Sequence, residues 1–328
     1  MTIIGAGSIG ERHLRCLLST GRADVSFVET AEVRRAEIAH RYPSAVAHAD
    51  LNAAIAACCD AAVIATPAPT HVPLAQQLTA SGIHVLIEKP LAVALDGAAE
   101  LADTVRRCGV VAAVAYVYRA HPAMADMRTA IASGQIGRPL QVVAVGGQHF
   151  PTYRPTYRQT YYASHASGGG AVQDALTHVL NAAEWLVGPI DRVAADTACL
   201  VLEGVDVEDT VHVLARHRDL LGSYAYNQHQ TPNELTITVV GDAGTARFEH
   251  QACRWCLMSR PGEAWKDFNF GPLDRDAMFV RQANHFLDTI EGKTRAACTL
   301  EEGIATLRVN LAVLASARNR TWQVVSPE

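Results

Sequence analysis

Three features are missing from this 328-residue chain, and each absence narrows its function. No apolar run approaches the roughly 20 residues of a membrane helix, and the run at residues 61–65 is preceded by Asp60. Basic residues are not in excess, since 28 Lys and Arg against 33 Asp and Glu give a net charge of −5, so nucleic acid is not an expected partner. No leader precedes the first apolar run at residue 2, so we expect a cytoplasmic protein without a membrane partner.

Cysteine is present, but not in a pattern that indicates disulfides or a metal. The eight cysteines are scattered, and Cys253 and Cys256 form a CxxC without a second Cys or His pair at metal-ligand spacing. We interpret these two as strand cysteines and expect no metal site. With 49% hydrophobic residues the chain can bury a sizeable core, and its length indicates two domains.

The first thirty residues contain the most specific pattern. An apolar run leads into a turn made of Gly5, Ala6, Gly7, Ser8, Ile9 and Gly10. A helical pattern follows, and a second apolar run ends at Glu29, nineteen positions after Gly10 (29 − 10). This GxGxxG context is typical of a dinucleotide site, in which the opening helix directs free N–H groups at the pyrophosphate. We predict that Gly5 makes the turn, Gly7 leaves room for the pyrophosphate, and Gly10 allows close packing of helix and strand.

Glu29 indicates which dinucleotide binds. A carboxylate there can accept hydrogen bonds from the adenosine ribose hydroxyls and would repel a 2′-phosphate. Arg34 and Arg35 are expected in the next helix, past the ribose-binding turn. We therefore expect NAD, with NADP less favoured.

Strands and helices alternate over residues 1–118, which predicts a doubly wound parallel sheet of the Rossmann type. Ligands of such sheets lie outside the carboxyl ends of the strands, where several polar and aromatic residues fall. The cofactor contacts predicted at this edge, besides the glycine turn and Glu29, are Thr66, Pro67, His71, Glu88 and Lys89. Tyr116 and Arg119, after the last strand, are predicted to contact substrate.

Lys89 lies in Glu88-Lys89-Pro90, directly after a predicted strand. An ammonium group at that edge can hold a substrate oxygen and stabilise negative charge that develops on it. The alternative is a surface lysine paired with Glu88. The proline can hold a cis peptide bond.

Residues 119–328 show a different pattern. From residue 140 the apolar period is two, with few helices between the strands, and two helices close the chain, the last at about residues 300–318. We predict an α+β domain with a large, mostly antiparallel sheet. An uncovered sheet face would suit a homo-oligomer, either a dimer or a tetramer.

The connection at residues 149–167 is long and rich in tyrosine. It contains Tyr161 and Tyr162 in addition to the predicted substrate contacts, which are Tyr153, Arg154, Tyr157 and Arg158. Tyrosines suit a polyhydroxylated ring, and the arginines suit an acidic group. Equally, this loop could pack its aromatic side chains on the sheet or contact a second subunit.

Three glycines, residues 168–170, precede a predicted helix that carries Asp174 and His178. We expect the glycines to let another molecule approach the backbone. The two side chains are four residues apart and so share a helical face. Such a pair suits proton transfer, because the carboxylate can orient the imidazole and stabilise its charged form. The alternative is a buried polar pair that holds the helix.

Taken together, GAGSIG, Thr66-Pro67 with Thr70-His71, Glu88-Lys89-Pro90, residues 134–137 (GQIG) and GGG followed by Asp174 and His178 resemble the Gfo/Idh/MocA family over residues 1–190. The resemblance implies a Rossmann domain, a second domain with a mixed sheet, and bound NAD(H) or NADP(H). It also implies hydride transfer to or from a secondary alcohol or ketone of a sugar, cyclitol or sugar derivative. Lys89, Asp174 and His178 match the family's catalytic set. They would also contact the substrate.

Two other functions remain open for such a chain. One is a glycoside hydrolase that oxidises its sugar transiently with tightly held NAD. The other is a non-catalytic, NAD-sensing regulator, against which the complete set of Lys89, Asp174 and His178 argues.

Overall fold

The computed structural model describes residues 1–57 and 59–325. Their contacts divide into two compact units. The first unit comprises Met1–Ala120 and Asp274–Ile304, and the second comprises His121–Leu273 and the described residues from Ala305 onward. The expected boundary at residue 118 thus lies close to the end of the first segment at Ala120. Asp274–Ile304, however, was expected in the second domain and belongs to the first unit.

The first unit contains a parallel sheet in the order β3-β2-β1-β4-β5-β6. Its strands are β1 (Thr2–Ile4), β2 (Ser26–Val28), β3 (Val46–His48), β4 (Ala61–Ile64), β5 (His84–Ile87) and β6 (Ala112–Val114). The helices between them are α1 (Ser8–Thr20), α2 (Glu32–Arg41), α3 (Leu51–Ala56), α4 (His71–Ala80) and α5 (Ala98–Cys108). The predicted doubly wound sheet is confirmed. Only β3 was not expected, because this largely exposed edge strand has no apolar run.

The core of this sheet follows from its central strands. Every residue of β4 is buried, as a parallel strand covered on both faces requires. Ile3 pairs with Phe27 on one side and with Val63 on the other, and Leu14 of α1 packs in the same cluster. Burial of these side chains fixes the register of β1 and therefore the position of the turn that follows it.

The second unit contains a sheet in the order β14-β13-β12-β11-β7-β10-β9-β8-β15. Its strands are β7 (Pro139–Gly147), β8 (Arg192–Ala198), β9 (Thr210–His217), β10 (Leu220–Asn227), β11 (Glu234–Gly241), β12 (Thr245–Glu249), β13 (Arg254–Met258), β14 (Lys266–Asn269) and β15 (Gln323–Val324). The helices before β8 are α6 (Pro122–Ala132), α7 (Phe150–Tyr153) and α8 (Thr177–Val187). Neighbouring strands are antiparallel except β7 and β10, which confirms a large, mostly antiparallel sheet.

Two helices follow the sheet, α9 (Ala277–Ile290) and α10 (Leu300–Asn319). Helix α9 belongs to the first unit because it packs on α1, where Arg15 Nε donates to Asp276 Oδ2 at 2.7 Å. His13 and Phe279 form an edge-to-face pair with centroids 5.4 Å apart. These contacts join residues more than 260 positions apart in sequence, so no local pattern predicts them.

The open face of the large sheet carries apolar side chains. Along β9, Val211 and Val213 are buried while Leu214 is 56% exposed. Val145 of β7 and Leu221 of β10 are also exposed. On the other face α8 is held by polar contacts to the end of the chain, such as Asn181 Nδ2 donating to Thr306 Oγ1 at 2.9 Å.

Several local details differ from expectation. Residues 149–167 form helix α7 and a series of short 3₁₀ turns, and Asp174 lies in a π-helical segment, Val172–Leu176, directly before α8. Cys256 lies in β13 as predicted, but Cys253 lies in the turn before it with φ of 47°. Cys58 is outside the described residues. Over the described ranges we find no helix with the length and hydrophobicity to span a bilayer.

Candidate active site

The glycine turn has the geometry that the fingerprint predicts. Gly5 has φ of +89°, which favours glycine. A Cβ atom on Gly10 would lie 1.8 Å from the Gly5 carbonyl oxygen, so Gly10 is required for α1 to leave β1 this closely. Both roles predicted from the sequence are confirmed.

Gly7 differs from the other two glycines. It is exposed, has φ of −67°, and a Cβ atom there would meet no protein atom within 4 Å. The protein itself therefore does not require glycine at this position. Helix α1 starts at Ser8 without a side-chain cap, so its first N–H groups, including that of Ile9, and its positive dipole end face the same open space. This turn fits a dinucleotide pyrophosphate.

Glu29 is held beside the turn by two backbone amides. Ala6 N donates to Oε2 at 3.1 Å and Ala31 N donates to Oε1 at 3.0 Å. Both carboxylate oxygens are thereby oriented at the end of β2, where the fingerprint places the ribose contact.

Arg34 and Arg35 lie in the next helix, as expected, but their side chains return to the turn. Helix α2 begins at Glu32, so both side chains are in its first turns and reach backward. Arg34 Nε donates to Ala6 O at 3.0 Å, and its Nη2 pairs with Glu11 at 2.7 Å. Arg35 Nη1 donates to Glu29 O at 2.7 Å. Burial alone would raise the pKa of Glu11, but hydrogen bonds from Arg41, Tyr42 and Arg34 hold it below its usual range.

Thr66, Pro67 and His71 lie at the end of β4. Of these, His71 is almost wholly buried. Its Nε2 is 2.8 Å from Thr66 O and its Nδ1 is 3.0 Å from Pro90 O, while burial lowers its pKa. A neutral ring donates to one of these carbonyls at a time. Because both nitrogens face protein carbonyls, His71 connects the turns after β4 and β5, and its contact with the cofactor stays a prediction.

Glu88 connects the end of β5 to α1. His13 Nε2 lies 2.7 Å from Glu88 Oε1, and Lys89 N donates to Oε2 at 3.0 Å. Burial would raise the pKa of this carboxyl, but the hydrogen bond and charge of His13, with the charge of Lys89, hold it below its usual range. The Lys89–Pro90 peptide is cis, as the sequence allowed. Sequence reasoning missed His13, because a histidine inside a helical pattern gives no signal of a partner 75 positions away.

The residues after β6 are buried. Tyr116 is in the core, and Arg119 Nη1 pairs with Glu302 at 2.8 Å and donates to Ala297 O at 2.8 Å. These contacts anchor Arg119 to the segment that groups with the first unit. A substrate role for either residue stays a prediction.

In the second unit, Asp174 and His178 lie four positions apart across the junction of the π-helical segment and α8. Asp174 is buried, and the Tyr161 hydroxyl donates to its Oδ1 at 2.6 Å. π-Helical segments occur often at functional sites. The contact with Tyr161 was not predicted, although this residue is in the tyrosine-rich connection that the sequence singled out.

The glycine triplet serves a different purpose from the one expected. A Cβ atom on Gly169 would lie 2.1 Å from Tyr162 O, and one on Gly170 would lie 2.5 Å from Glu208 Oε1. The chain's own segments approach these two glycines. Glu208 also accepts a hydrogen bond from Val172 N at 2.8 Å. It was missed because nothing in its local sequence indicates that partner.

The tyrosine-rich connection divides into buried and exposed residues. Tyr157 and Tyr162 are buried with Phe150 in one cluster, and they pack on Leu202 and Val207 of the loop between β8 and β9, whereas the packing alternative had placed them on the sheet. Tyr157 Oη donates to Glu203 O at 3.0 Å, and Arg158 Nε donates to the same oxygen at 2.7 Å. Tyr153 and Arg154 are exposed.

Over residues 1–57 and 59–325, no cluster of side chains is arranged to bind a metal.

Comparison with known proteins identifies the same two parts. Residues 1–116 match the family model described as "Oxidoreductase family, NAD-binding Rossmann fold", and residues 124–247 match the "GFO/IDH/MocA C-terminal domain". A levoglucosan dehydrogenase solved with NADH and levoglucosan superimposes with a TM-score of 0.90 at 22% identity, over 99% of this chain and 98% of that one. This likeness shows the shared fold.

Two curated relatives extend the match. An inositol 2-dehydrogenase from Acidothermus cellulolyticus is 31% identical over 256 residues, or 74% of this chain and 70% of the relative. A myo-inositol dehydrogenase from Streptomyces leeuwenhoekii is 27% identical over 252 residues, or 74% of each chain. Both are dehydrogenases, and neither the hydrolase nor the regulator alternative gains support. The chain therefore belongs to the Gfo/Idh/MocA family of NAD-binding oxidoreductases.

Proposed function

We propose that this protein is an NAD-dependent dehydrogenase that oxidises a secondary alcohol of a sugar, cyclitol or sugar derivative, or runs the reverse reduction. The observation that carries the proposal is in the first unit. Three features there lie at the carboxyl ends of parallel strands, namely the open glycine turn, the oriented Glu29 carboxylate and Lys89. In addition, Glu88 is hydrogen-bonded to His13 of α1, the helix that follows the glycine turn. The named activities of the inositol and levoglucosan dehydrogenases support a polyhydroxylated substrate.

The residues of the first unit suit a bound dinucleotide. The N-terminus of α1 would hold the pyrophosphate and Glu29 the ribose hydroxyls, with Thr66, Pro67 and Glu88 along the same sheet edge. A bound nicotinamide cofactor would supply the hydride acceptor for the reaction.

The catalytic steps belong to three side chains. His178 accepts the proton of the substrate hydroxyl, and the hydride would leave the same alcohol for the bound cofactor. Asp174 stabilises the imidazolium that results. Lys89 donates a hydrogen bond to the substrate oxygen as it becomes a carbonyl.

A substrate screen tests the proposal. Purified protein with NAD⁺ and a panel of inositols, aldoses, anhydrosugars, uronates and nucleotide sugars should give net NADH absorbance with at least one compound. Uronates are included because Arg154 is exposed and could pair with a carboxylate, whereas Arg158 already pairs with Glu203 at 3.3 Å. A panel without net NADH formation, together with no NADH oxidation by the matching ketones, would contradict the proposed reaction.

The cofactor preference is tested by Glu29→Gln. The neutral amide keeps one acceptor oxygen but removes the charge that repels a 2′-phosphate, and Arg34 and Arg35 lie beside the same turn. We expect KM for NAD⁺ to rise about tenfold, and the ratio of kcat/KM for NAD⁺ over NADP⁺ to fall by about 10–100-fold, roughly 1.4–2.8 kcal/mol. The matched control is Glu32→Gln, an exposed carboxylate three positions away, which should change neither. An unchanged ratio in Glu29→Gln would remove Glu29 from cofactor selection.

We also propose that the chain forms a homo-oligomer through the open face of the large sheet, where Leu214, Val145 and Leu221 are exposed. An arginine in place of Leu214 would place an unpaired charge in that contact. We expect Leu214→Arg to reduce the molar mass measured by light scattering after size exclusion. Val33→Arg, at an exposed valine on α2, should keep the wild-type mass. An equal mass for wild type and Leu214→Arg would contradict this interface.

A further inference from the structure

Tyr161 makes a direct contact with the carboxylate that we propose as the partner of the catalytic base. Its hydroxyl donates to Asp174 Oδ1 at 2.6 Å, a short bond typical of a charged acceptor. Asp174 is buried, whereas Tyr161 is 46% exposed. The hydroxyl therefore reaches from a surface residue to a buried anion, an arrangement that packing of the tyrosine ring alone does not require.

The backbone of Tyr161 is fixed by the residues that lead into the helical segment that carries Asp174. Ser167 Oγ donates to Tyr161 O at 2.6 Å. A Cβ atom on Gly169 would lie 2.8 Å from that same carbonyl oxygen, so this glycine allows the two segments to approach. Next along the chain, the Tyr162 hydroxyl bonds to Gln228 and lies 3.3 Å from Glu208 O. Local packing thus holds the Tyr161 hydroxyl where it donates a hydrogen bond to Asp174.

Glu208 holds the two segments together from the other side. Its Oε1 accepts from Val172 N at 2.8 Å, and its Oε2 lies 2.5 Å from His165 Nε2. This hydrogen bond raises the pKa of His165. One buried carboxylate therefore contacts both the start of the π-helical segment and the connection that contains Tyr161.

We propose that Tyr161 is a positioning residue that orients Asp174 and limits how strongly this carboxylate stabilises protonated His178. This inference rests on the proposed function of Asp174 and His178. A carboxylate that shares its charge with a neutral donor attracts a neighbouring imidazolium less. His178 must be neutral to accept the hydroxyl proton, so the Tyr161 hydrogen bond keeps more of the protein competent near neutral pH.

Other titratable groups lie around these residues, so the experiment must distinguish their effects from the effect of the Tyr161 hydroxyl. Burial is the main cause that raises the pKa of the Tyr162 hydroxyl, and the charges of Asp174, Glu208 and Asp209 raise this pKa further. His165 is bonded to Glu208. A Tyr161→Phe substitution removes a single hydroxyl from Asp174 and changes none of these groups.

The direct measurement is the titration of the His178 ring by nuclear magnetic resonance, with labelled histidine and assignment by His178→Ala. In Tyr161→Phe we expect the midpoint to rise by about half to one pH unit. In the Asp174→Asn background, Tyr161→Phe should produce no further shift, because the charge it acts on is gone. With a substrate in hand, the acidic limb of kcat/KM should move with the midpoint.

Tyr224→Phe is the matched control. It removes a buried hydroxyl of the same unit, 2.5 Å from His217 Nε2, and should lower the thermal midpoint of unfolding without moving the His178 titration. An unmoved midpoint in Tyr161→Phe, or an equal shift in the Asp174→Asn background, would overturn the proposal. This measurement needs no substrate, so a failed substrate screen would contradict the proposed function without deciding the role of Tyr161.

Discussion

Replacing His178 with alanine is expected to reduce turnover about 100-fold or more, because general base catalysis contributes about 10²–10⁴-fold. NADH binding, measured by fluorescence titration, should stay near wild type, since the proposed cofactor contacts lie in the first unit. Lys89→Met should cause a loss of similar size by removing the hydrogen bond to the developing carbonyl. The measurement is kcat with the substrate that the screen identifies.

The double variant decides whether the two groups act on the same oxygen. Residues that act as a unit give non-additive losses, so Lys89→Met combined with His178→Ala should be little slower than the slower single variant. His40→Ala, at an exposed histidine of α2, controls for loss of a histidine and should retain full activity. Full turnover in His178→Ala would exclude this residue from the mechanism, and multiplied losses in the double variant would contradict a shared substrate oxygen.

Gly7→Ala and Gly10→Ala should differ in their effects on stability and on NADH binding. A Cβ atom on Gly10 would lie 1.8 Å from Gly5 O, so the backbone must shift. We expect Gly10→Ala to lower the free energy of unfolding by about 2–4 kcal/mol and to lose NADH binding with it. A Cβ atom on Gly7 would meet no protein atom within 4 Å and its φ of −67° suits alanine, so the cofactor-free protein should keep its thermal midpoint.

The affinity of Gly7→Ala for NADH should nevertheless fall by about 10–100-fold, roughly 1.4–2.8 kcal/mol, because the methyl group occupies the space proposed for the pyrophosphate. Thermal unfolding with and without NADH, together with a fluorescence titration, measures both quantities for each variant. Wild-type affinity in a stable Gly7→Ala protein would contradict the placement of the pyrophosphate at this turn.

Sequence reasoning succeeded where the signal is local. The glycine turn, the acidic residue after β2 and the alternating elements of the first unit each follow from a short stretch of chain, since strand and helix periods and glycine requirements are properties of neighbouring residues. The period-two pattern likewise predicted the large sheet of the second unit. It did not predict the parallel pairing of β7 with β10, because pairing depends on chain topology.

The sequence did not predict which protein atoms certain side chains and glycines contact. Arg34 reaches back to Ala6, and His71 faces two protein carbonyls. Gly169 and Gly170 make room for protein segments. In each case the residue was correctly recognised as unusual, but its neighbour is set by packing of elements that are remote along the chain.

The sequence by itself determined the family, the two architectures and the residues from which a catalytic set could be named, because those are carried by motifs of a few residues. Only the tertiary structure decided the partners of these residues: His13 for Glu88, α9 for α1, Glu208 for the start of the π-helical segment and Tyr161 for Asp174. The physical reason is that a hydrogen bond between distant residues depends on the burial and register of whole strands and helices. The types of the individual residues therefore do not predict it.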